Sequence, residues 1–188
     1  ARSANLEENE LEYIADIHLL TIKPVLYVCN VDEASAKTGN KYVEQVKEAI
    51  KNEHAQLLII TAQMESEIAA LETYEEKQLF LQEMGLDEPG VNKLIKAAYK
   101  LLNLQTYFTA GVKEVRAWTI EKGWKAPQAA GVIHTYFEKG LIKAEVMSYN
   151  DFTTLGSEAA CRDAGKLKIE GKEYIVNDGD VMHFRFNV

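Results

Sequence analysis

The chain has 188 residues, of which 47% are apolar, and it carries a formal net charge of −8 at pH 7. This length allows one large domain or two small ones, and no apolar run approaches the roughly 18–20 residues that a membrane-spanning helix needs. The excess acidity lies in residues 1–103, with 10 Lys and Arg against 18 Asp and Glu, whereas residues 104–188 hold 11 of each. A generally basic nucleic-acid binder is therefore excluded, although a local basic face on the second part stays open.

The amino-terminal segment and the two cysteines indicate the cellular compartment of the protein. Ala1 to Glu10 is polar and acidic, without the basic and apolar pattern of a signal peptide. Cys29 and Cys161 stand in no metal-ligand spacing, so free thiols in a reducing cytosol are the expected state. We expect a soluble, cytoplasmic protein.

The first predicted element is an amphipathic helix over residues 6–20, in which apolar side chains recur at nearly helical spacing. Its polar face is acidic, and anionic lipids attract basic faces, so we expect the helix to pack on protein and no membrane to be a partner. Lys23-Pro24 ends the helix, because the residue before a proline avoids the helical conformation.

Two buried strands are predicted around one helix. The apolar runs PVLYVCNV at 24–31 and QLLIIT at 56–61 are too short for helices and have the continuous apolar character of parallel strands. Between them, residues 40–53 have helical spacing, with Asn40 as the N-cap. This order predicts a right-handed βαβ unit, and such sheets bind ligands beyond the carboxyl ends of their strands.

The remaining elements fall into two groups. A charged helix over 65–84, ended by Gly85, is followed by a helix from Pro89 to about Leu104. Beyond a boundary near 104–111, alternating runs predict strands and two short segments predict helices. The strand-like runs are 113–123, 141–149, 166–176 and 180–188, and the helical segments are 127–138 and 155–164. This second part is therefore predicted to be an α+β domain.

The phosphate-binding motif of P-loop nucleotide hydrolases, G-x-x-x-x-G-K-[ST], is absent from the sequence. Gly165-Lys166 and Gly171-Lys172 are followed by Leu and Glu, and neither pair has a glycine five places earlier. Asp87 to Gly90 matches the short metal-side pattern D-x-x-G, but it follows a helix end, so a helix-start turn is the better interpretation. We assign no catalytic residue and expect no nucleotide hydrolysis by this chain alone.

The end of the first strand, Asn30-Val31-Asp32-Glu33, is similar to the N-K-x-D motif that reads the base in G-protein folds. In that motif the Asn contacts the purine edge, the Lys stem covers the ring and the Asp grips guanine. Here Val31 takes the Lys position and Glu33, one methylene longer, takes the Asp position. Selectivity for guanine should therefore weaken and adenine becomes an alternative. A polar loop without a ligand is equally compatible with the spacing.

The end of the second strand, Thr61-Ala62-Gln63, stands where such folds have their last base-side loop, of the form S-A-x. In that loop the backbone N–H groups, and not the side chains, reach the base. The motif is weak alone and gains weight from its separation of one βαβ unit from Asn30. We take Asn30, Val31, Glu33, Thr61, Ala62 and Gln63 as the candidate nucleotide-base-binding residues.

Long strings of the sequence resemble the YchF/Obg-like ATPase family, a P-loop, GTPase-like family with a C-terminal TGS domain. They are TIKPVLYVCNVDE at 21–33, TAQMESE at 61–67, YFTAG at 107–111, EVRAWTI at 114–120, APQAAGVIH at 126–134, EGK at 170–172 and DGDVMHFRFNV at 178–188. The resemblance covers essentially the whole chain and identifies it with the C-terminal portion of that family. Val31 departs from the longer Leu or Met that is common in the family at this position.

The resemblance implies a domain organisation. Residues 1–22 would end a helical coiled-coil arm, residues 23–104 would form the C-terminal part of a Rossmann-like α/β P-loop ATPase domain, and residues 105–188 would form a TGS domain of the ubiquitin-like β-grasp fold. It also implies a parent protein that hydrolyses ATP, and GTP more weakly, with Mg²⁺, and that associates with ribosomes. The phosphate loop, Mg²⁺ ligands and switch residues have no counterparts here, so this chain should hold no nucleotide firmly.

Four residues of the second part are candidates for contact with RNA or the ribosome: Arg116, Trp118, His183 and Arg185. Arg116 and Trp118 share one strand face, which suits RNA by charge and stacking and equally suits a structural cation–π pair. Alternation places Phe184 on the core side and His183 and Arg185 on the other. No carboxylate or cysteine cluster stands at ligand spacing around the histidines, so we predict no metal site.

Two functions are compatible with these patterns. In the first, the chain is the C-terminal part of a ribosome-associated ATPase and carries its base-recognition loop. In the alternative, it is an independent TGS interaction module that binds RNA or the ribosome without nucleotide chemistry.

Overall fold

The computed structural model describes residues 4, 6–53 and 55–187. Residues 1–3 and 5, the start of the predicted arm segment, lie outside the described residues, as do His54 and Val188. The chain separates into two compact units, Ala1–Leu101 and Leu102–Val188, called unit 1 and unit 2 below. No helix among the described residues is long and apolar enough to cross a bilayer.

Unit 1 contains five helices and two strands among its described residues. They are α1 (Glu8–Ile14), β1 (Leu26–Asn30), α2 (Lys41–Ile50), β2 (Gln56–Ile60), α3 (Ala62–Ala70), α4 (Tyr74–Met84) and α5 (Gly90–Leu101). Short 3₁₀ turns cover Ala15–Ile17, Leu20–Ile22 and Glu33–Ser35. The helix predicted over 6–20 is therefore shorter, since regular α-helix ends at Ile14 and 3₁₀ turns continue the chain.

The predicted strand–helix–strand unit is confirmed. β1 and β2 pair in parallel, from Leu26 opposite Gln56 to Asn30 opposite Ile60, with α2 between them in the chain. Asn40 caps α2 as predicted, because its Oδ1 accepts hydrogen bonds from the N–H groups of Tyr42 at 3.0 Å and Val43 at 3.2 Å. Parallel pairing brings the carboxyl ends of both strands to one edge of this sheet.

The single helix predicted over 65–84 is wrong, since the structure has two helices, α3 and α4. The break follows from a capping box: Thr73 Oγ1 accepts from the Glu76 N–H at 3.2 Å, and Glu76 Oε2 accepts from the Thr73 N–H at 3.0 Å. Gly85 ends α4 in the left-handed conformation, with φ of 62°, as predicted. α3 thus begins directly after the Thr61 loop and ends early.

Unit 2 is built on one mixed five-stranded sheet with the strand order β4-β3-β7-β5-β6. Its elements are β3 (Leu104–Ala110), β4 (Val115–Glu121), α6 (Ala126–Ile133), α7 (Thr135–Gly140), β5 (Leu141–Ser148), α8 (Tyr149–Leu155), α9 (Glu158–Asp163), β6 (Lys168–Glu170) and β7 (Asp180–Phe186). β3 and β7 pair in parallel and the other pairs are antiparallel. The sheet confirms the mixed α and β content that the sequence indicates.

Three predictions in unit 2 were inexact. Strand β3 begins at Leu104, where the sequence predicted the end of a helix and a domain boundary, because its partners β4 and β7 make it a strand. The strand predicted over 166–176 is only three residues long, Lys168–Glu170. The helix predicted over 127–138 is a pair, α6 and α7, and α7 starts where His134 Nδ1 accepts from the Tyr136 N–H at 3.3 Å. The helix predicted over 155–164 corresponds to α9, and α8 precedes it in the chain.

The main core of unit 2 lies between one sheet face and α6 with α7. Tyr107 is fully buried there, donates its hydroxyl to the Ala129 carbonyl at 2.8 Å and meets the Phe184 ring edge to face at 5.8 Å. Alternation along the strands sends a second set of side chains to the opposite face, where α8 and α9 cover them. That smaller cluster contains Met147, Cys161 and Val181.

Candidate functional site

Asn30 joins the two strand ends of unit 1. It is the last residue of β1, and its exposed side chain reaches the start of α3, where its Oδ1 accepts a hydrogen bond from the Ala62 N–H at 3.0 Å. The adjacent Val31 N–H donates to the Ile60 carbonyl at 2.9 Å and carries the strand pairing one residue further. The two predicted base-side segments are therefore in direct contact.

Asp32 organises the turn that carries Glu33. Its Oδ1 accepts a hydrogen bond from the Ser35 N–H at 2.9 Å and caps the 3₁₀ turn Glu33–Ser35. Val31 is half-buried and Glu33 is exposed. The segment thus presents an apolar side chain next to an exposed carboxylate, and the aspartate that shapes it had no role predicted from the sequence.

The second segment is held by the Thr61 hydroxyl and by the Ala62 backbone N–H. Thr61 is buried, and its hydroxyl lies 3.5 Å from the Asp32 carbonyl, to which it donates. Ala62 and Gln63 are exposed in the first turn of α3, and the Gln63 amide donates to Glu67 Oε1 at 3.2 Å. The Ala62 N–H, which the motif would offer to a base, is engaged by Asn30 in this structure.

Glu65 lies two residues after this segment, in the first turns of α3, and no role was predicted for it from the sequence. Its two carboxylate oxygens accept hydrogen bonds from the first N–H groups of α5, Gly90 at 2.6 Å and Val91 at 3.1 Å. The only signal in the sequence is an acidic residue in the first turn of a helix, which is common. Its partners are 25 and 26 residues away, so local patterns do not reveal the contact.

In unit 2, Arg116 and Trp118 lie on β4 and form the cation–π pair that the sequence allowed. The Arg116 guanidinium carbon lies 4.1 Å from the Trp118 ring centroid. Trp118 also donates its indole N–H to Thr109 Oγ1 at 2.9 Å, and Arg116 lies 3.9 Å from the Glu114 carboxylate. Trp118 packs on the main core, while Arg116 is exposed.

The four candidate RNA-contact residues do not form one surface. Trp118 packs on the sheet face that α6 covers, together with Arg116. His183 alternates with the core residue Phe184 and lies on the opposite face. There His183 Nδ1 pairs with Glu158 at 3.1 Å, and Arg185 donates to Glu145 at 3.0 Å.

Glu145 is the buried centre of an ion-pair cluster. Its side chain is 8% exposed and lies 3.0 Å from Arg185, 3.5 Å from Arg162 and 3.9 Å from His183. Burial alone would raise the pKa of the Glu145 carboxyl, but the Arg185 hydrogen bond and the charges of Arg185, Arg162 and His183 outweigh it and lower that pKa.

The same cluster brings together three residues whose side chains can bind metals, which the sequence spacing did not suggest. One ligand atom each of Glu145, Glu158 and His183 lies within 4.8 Å of the others. Two arginines already contact Glu145, and Arg162 also pairs with Glu158 at 3.0 Å. Because these guanidinium groups neutralise both carboxylates, the arrangement suits a protein ion-pair network better than a divalent cation.

The chain is similar to known proteins over its full length. Residues 104–187 match the family model YchF-GTPase_C, described as a protein of unknown function (DUF933). The ribosome-binding ATPase YchF of Bacillus subtilis is 52% identical over 190 residues, covering 100% of this chain and 52% of that protein. The Obg-like ATPase 1 of Gallus gallus is 44% identical over 182 residues, covering 96% of this chain and 46% of that protein.

Two solved structures are similar to this chain in fold. The YchF GTPase of Schizosaccharomyces pombe superposes with a TM-score of 0.82 at 39% identity, covering 98% of this chain and 49% of that chain. A GTP binding protein from Pyrococcus horikoshii OT3 has a TM-score of 0.60 at 15% identity, which shows similarity of fold alone.

The parallel strand ends of unit 1 and the mixed sheet of unit 2 place the chain in the structural class of YchF and GTP-binding proteins. Within that class, the chain matches the C-terminal portion of members of the YchF/Obg-like ATPase family. It spans about half the length of the curated relatives it matches.

Proposed function

We propose that this chain supplies the base-recognition side of the nucleotide site of a ribosome-binding, YchF-type ATPase. The observation that supports this most strongly is the hydrogen bond from the Ala62 N–H to Asn30 Oδ1 at 3.0 Å. It joins two segments that are 32 residues apart in the chain and that match the base-side motifs of the fold. A polar loop without a ligand would not require this particular link.

The chemistry of the segment favours adenine over guanine. An amide oxygen has two lone pairs, so Asn30 Oδ1, which already accepts from Ala62, retains one to accept from the N6 amine of adenine. Guanine presents an oxygen at that position and needs a donor, and the Ala62 N–H that the motif would offer is engaged, so guanine would have to use the Asn30 amide NH2 instead. Val31 offers an apolar contact to the ring, and the exposed Glu33 replaces the shorter aspartate that grips guanine.

The phosphate side of the site is proposed to come from the part of the relatives that this chain does not span. In unit 1, the described strands form a sheet of only two, and isolated pairs of strands are marginal in water. Val28, in the middle of β1, is 42% exposed. A further strand on the free edge of β1, from a domain that carries the phosphate loop and the Mg²⁺ ligands, would cover it. Without that part, this chain should not hydrolyse ATP.

Unit 2 fits the proposed TGS domain of β-grasp fold over residues 105–188, since a mixed sheet holds α6 and α7 on one face. Residues 23–104 are then the C-terminal part of the ATPase domain and residues 1–22 the end of the arm. Association with the ribosome, and with it a place in the cytoplasm, is part of the proposal and is supported by the names of relatives that are 52–54% identical, which are ribosome-binding ATPases. An independent module that binds RNA or the ribosome without nucleotide is the alternative function.

The test is a titration of the isotope-labelled chain with millimolar ATP, monitored by the amide resonances. We expect shifts at Val31 and Ala62 and weaker shifts with GTP. Asn30→Ala removes the shared acceptor and should weaken the ATP response by about tenfold or more, the scale of one or two hydrogen bonds to a base.

Asn40→Ala is the matched control, since it removes an asparagine cap from α2 without touching either segment. It should lower stability by about 1 kcal/mol and leave the ATP response unchanged. Equal responses to ATP and GTP would refute the adenine preference. Co-sedimentation with ribosomes without any ATP response would favour the independent module.

A further inference from the structure

We propose that Glu65 is a positioning residue for the base-side loop Thr61–Gln63, acting through the N-terminus of α5. The proposal rests on the proposed function for its consequence in nucleotide binding, but its structural part stands on contacts of unit 1 alone. It adds a residue outside both base-side motifs to the determinants of the site.

The start of α5 is capped by a side chain from outside that helix. The first N–H groups of an α-helix have no partner within the helix and need an acceptor. For Gly90 and Val91 that acceptor is the Glu65 carboxylate, at 2.6 and 3.1 Å. A carboxylate at this end also interacts favourably with the helix dipole. The cap of this 12-residue helix is therefore supplied by a residue from another helix.

Gly90 leaves the space that the Glu65 carboxylate occupies at the start of α5. Gly90 is buried, and a Cβ added to it would lie 2.7 Å from Glu65 Oε1 and 3.2 Å from the Ile60 side chain. The glycine thus permits a close approach that a larger residue would block. Glu65 and Gly90 therefore fit each other, with the side chain of Ile60, the last residue of β2, beside them.

Glu65 also contacts the loop Thr61–Gln63 through its own backbone. The Glu65 N–H donates to the Thr61 carbonyl at 3.1 Å, so Glu65 closes the first turn of α3 on the loop itself. On the other side, the Ala62 N–H donates to Asn30. The loop is thus held between β1 and α5, and its backbone is aimed by both contacts. Release of the α5 contact leaves the loop held only from the β1 side, by the Ala62 bond to Asn30 and the Thr61 bond to the Asp32 carbonyl.

The test compares Glu65→Ala and Glu65→Gln with the unchanged chain by amide hydrogen exchange. We expect the protection of the Ala62 amide to fall by about tenfold in Glu65→Ala, the usual effect of a lost cap. Glu65→Gln keeps one acceptor oxygen and should give an intermediate value. The amide of Leu58, inside β2, reports the stability of the unit and should lose less protection than Ala62.

Thr73→Ala is the matched control, because it removes the side-chain cap of the neighbouring helix α4. It should loosen α4 and leave Ala62 unchanged relative to Leu58. Equal loss of protection at Ala62 and Leu58 in Glu65→Ala would overturn the proposal, since it would show a contribution to stability alone. Unchanged protection at Ala62 would overturn it as well.

A separate ATP titration tests the effect of Glu65 on nucleotide binding. In Glu65→Ala, we expect the ATP-induced shift at Ala62 to require at least about fivefold more ATP, while Thr73→Ala should match the unchanged chain. If the unchanged chain shows no response to ATP, the proposed function fails, and the exchange measurement still decides whether Glu65 positions the loop. An ATP response that is normal in Glu65→Ala despite lost protection would refute the functional part.

Discussion

Tyr107→Ala is expected to lower the free energy of unfolding of unit 2 by about 3–5 kcal/mol, the range for removing a large aromatic side chain from a core. Tyr107 has no exposed surface, contacts the Phe184 ring and donates its hydroxyl to the Ala129 carbonyl, so the change leaves a cavity and removes a buried hydrogen bond. Urea denaturation of the full chain, followed by tryptophan fluorescence from Trp118 and Trp124, measures the loss.

The matched control is Tyr136→Ala, because Tyr136 is 74% exposed and stacks only on His134 in the ring contacts of the described residues. Its expected effect is within about 0.5 kcal/mol. Equal losses for the two tyrosines would contradict the assignment of the core to the face between the sheet and α6.

Glu145→Ala is expected to lower the stability of unit 2 by about 2–3 kcal/mol. Breaking a fully buried ion pair costs about 3–5 kcal/mol, because the remaining charge is left uncompensated. Here Glu145 is 8% exposed, but its partners Arg185 and Arg162 are 45% and 55% exposed and recover part of their hydration. The same denaturation experiment measures the effect.

Glu173→Ala provides the comparison for Glu145. It removes an ion pair with Lys125 in which both side chains are exposed, 85% and 47%. Such pairs contribute about 0–1 kcal/mol. A loss at Glu145 as small as the loss at Glu173 would show that the cluster is an ordinary surface network.

The contribution of Glu145 should also depend on pH. Its folded pKa lies below the usual value, so its charge stabilises the fold above the unfolded pKa of about 4.3 and this contribution is lost as the pH falls through the folded value. The difference in unfolding free energy between the unchanged chain and Glu145→Gln should therefore be largest near pH 6 and shrink towards about pH 3. A difference that grows on acidification would contradict the sign.

Much of the local structure follows from short-range patterns. The strands β1 and β2 are continuous apolar runs, the Asn40 cap acts on the next turn of its own helix, and Gly85 takes the left-handed conformation at a helix end. Each is determined by interactions within a few residues, which the sequence displays directly. The same holds for the strand ends at Asn30 and Thr61, where polar residues follow buried strands.

Other features depend on residues that are distant in the chain. β3 became a strand because β4 and β7 pair with it, although the sequence there also fits the end of a helix. Glu145, Glu158 and His183 meet because β5, α9 and β7 are neighbours. Pairing across a sheet also decides which side chains share a face, and this separated Arg116 from Arg185, which the sequence had grouped together.

The base-side segments show most clearly which features depend on the local sequence and which depend on the tertiary structure. The sequence by itself determined that Asn30 ends one buried strand and that Ala62 follows the end of another, because buried apolar runs and polar ends are local. Only the tertiary structure decided that the Asn30 amide oxygen holds the Ala62 N–H and that Glu65 caps α5, because both bonds join residues 25 to 32 positions apart. A hydrogen bond over such a separation depends on where the folded backbone places its donor and acceptor, which no short-range pattern specifies.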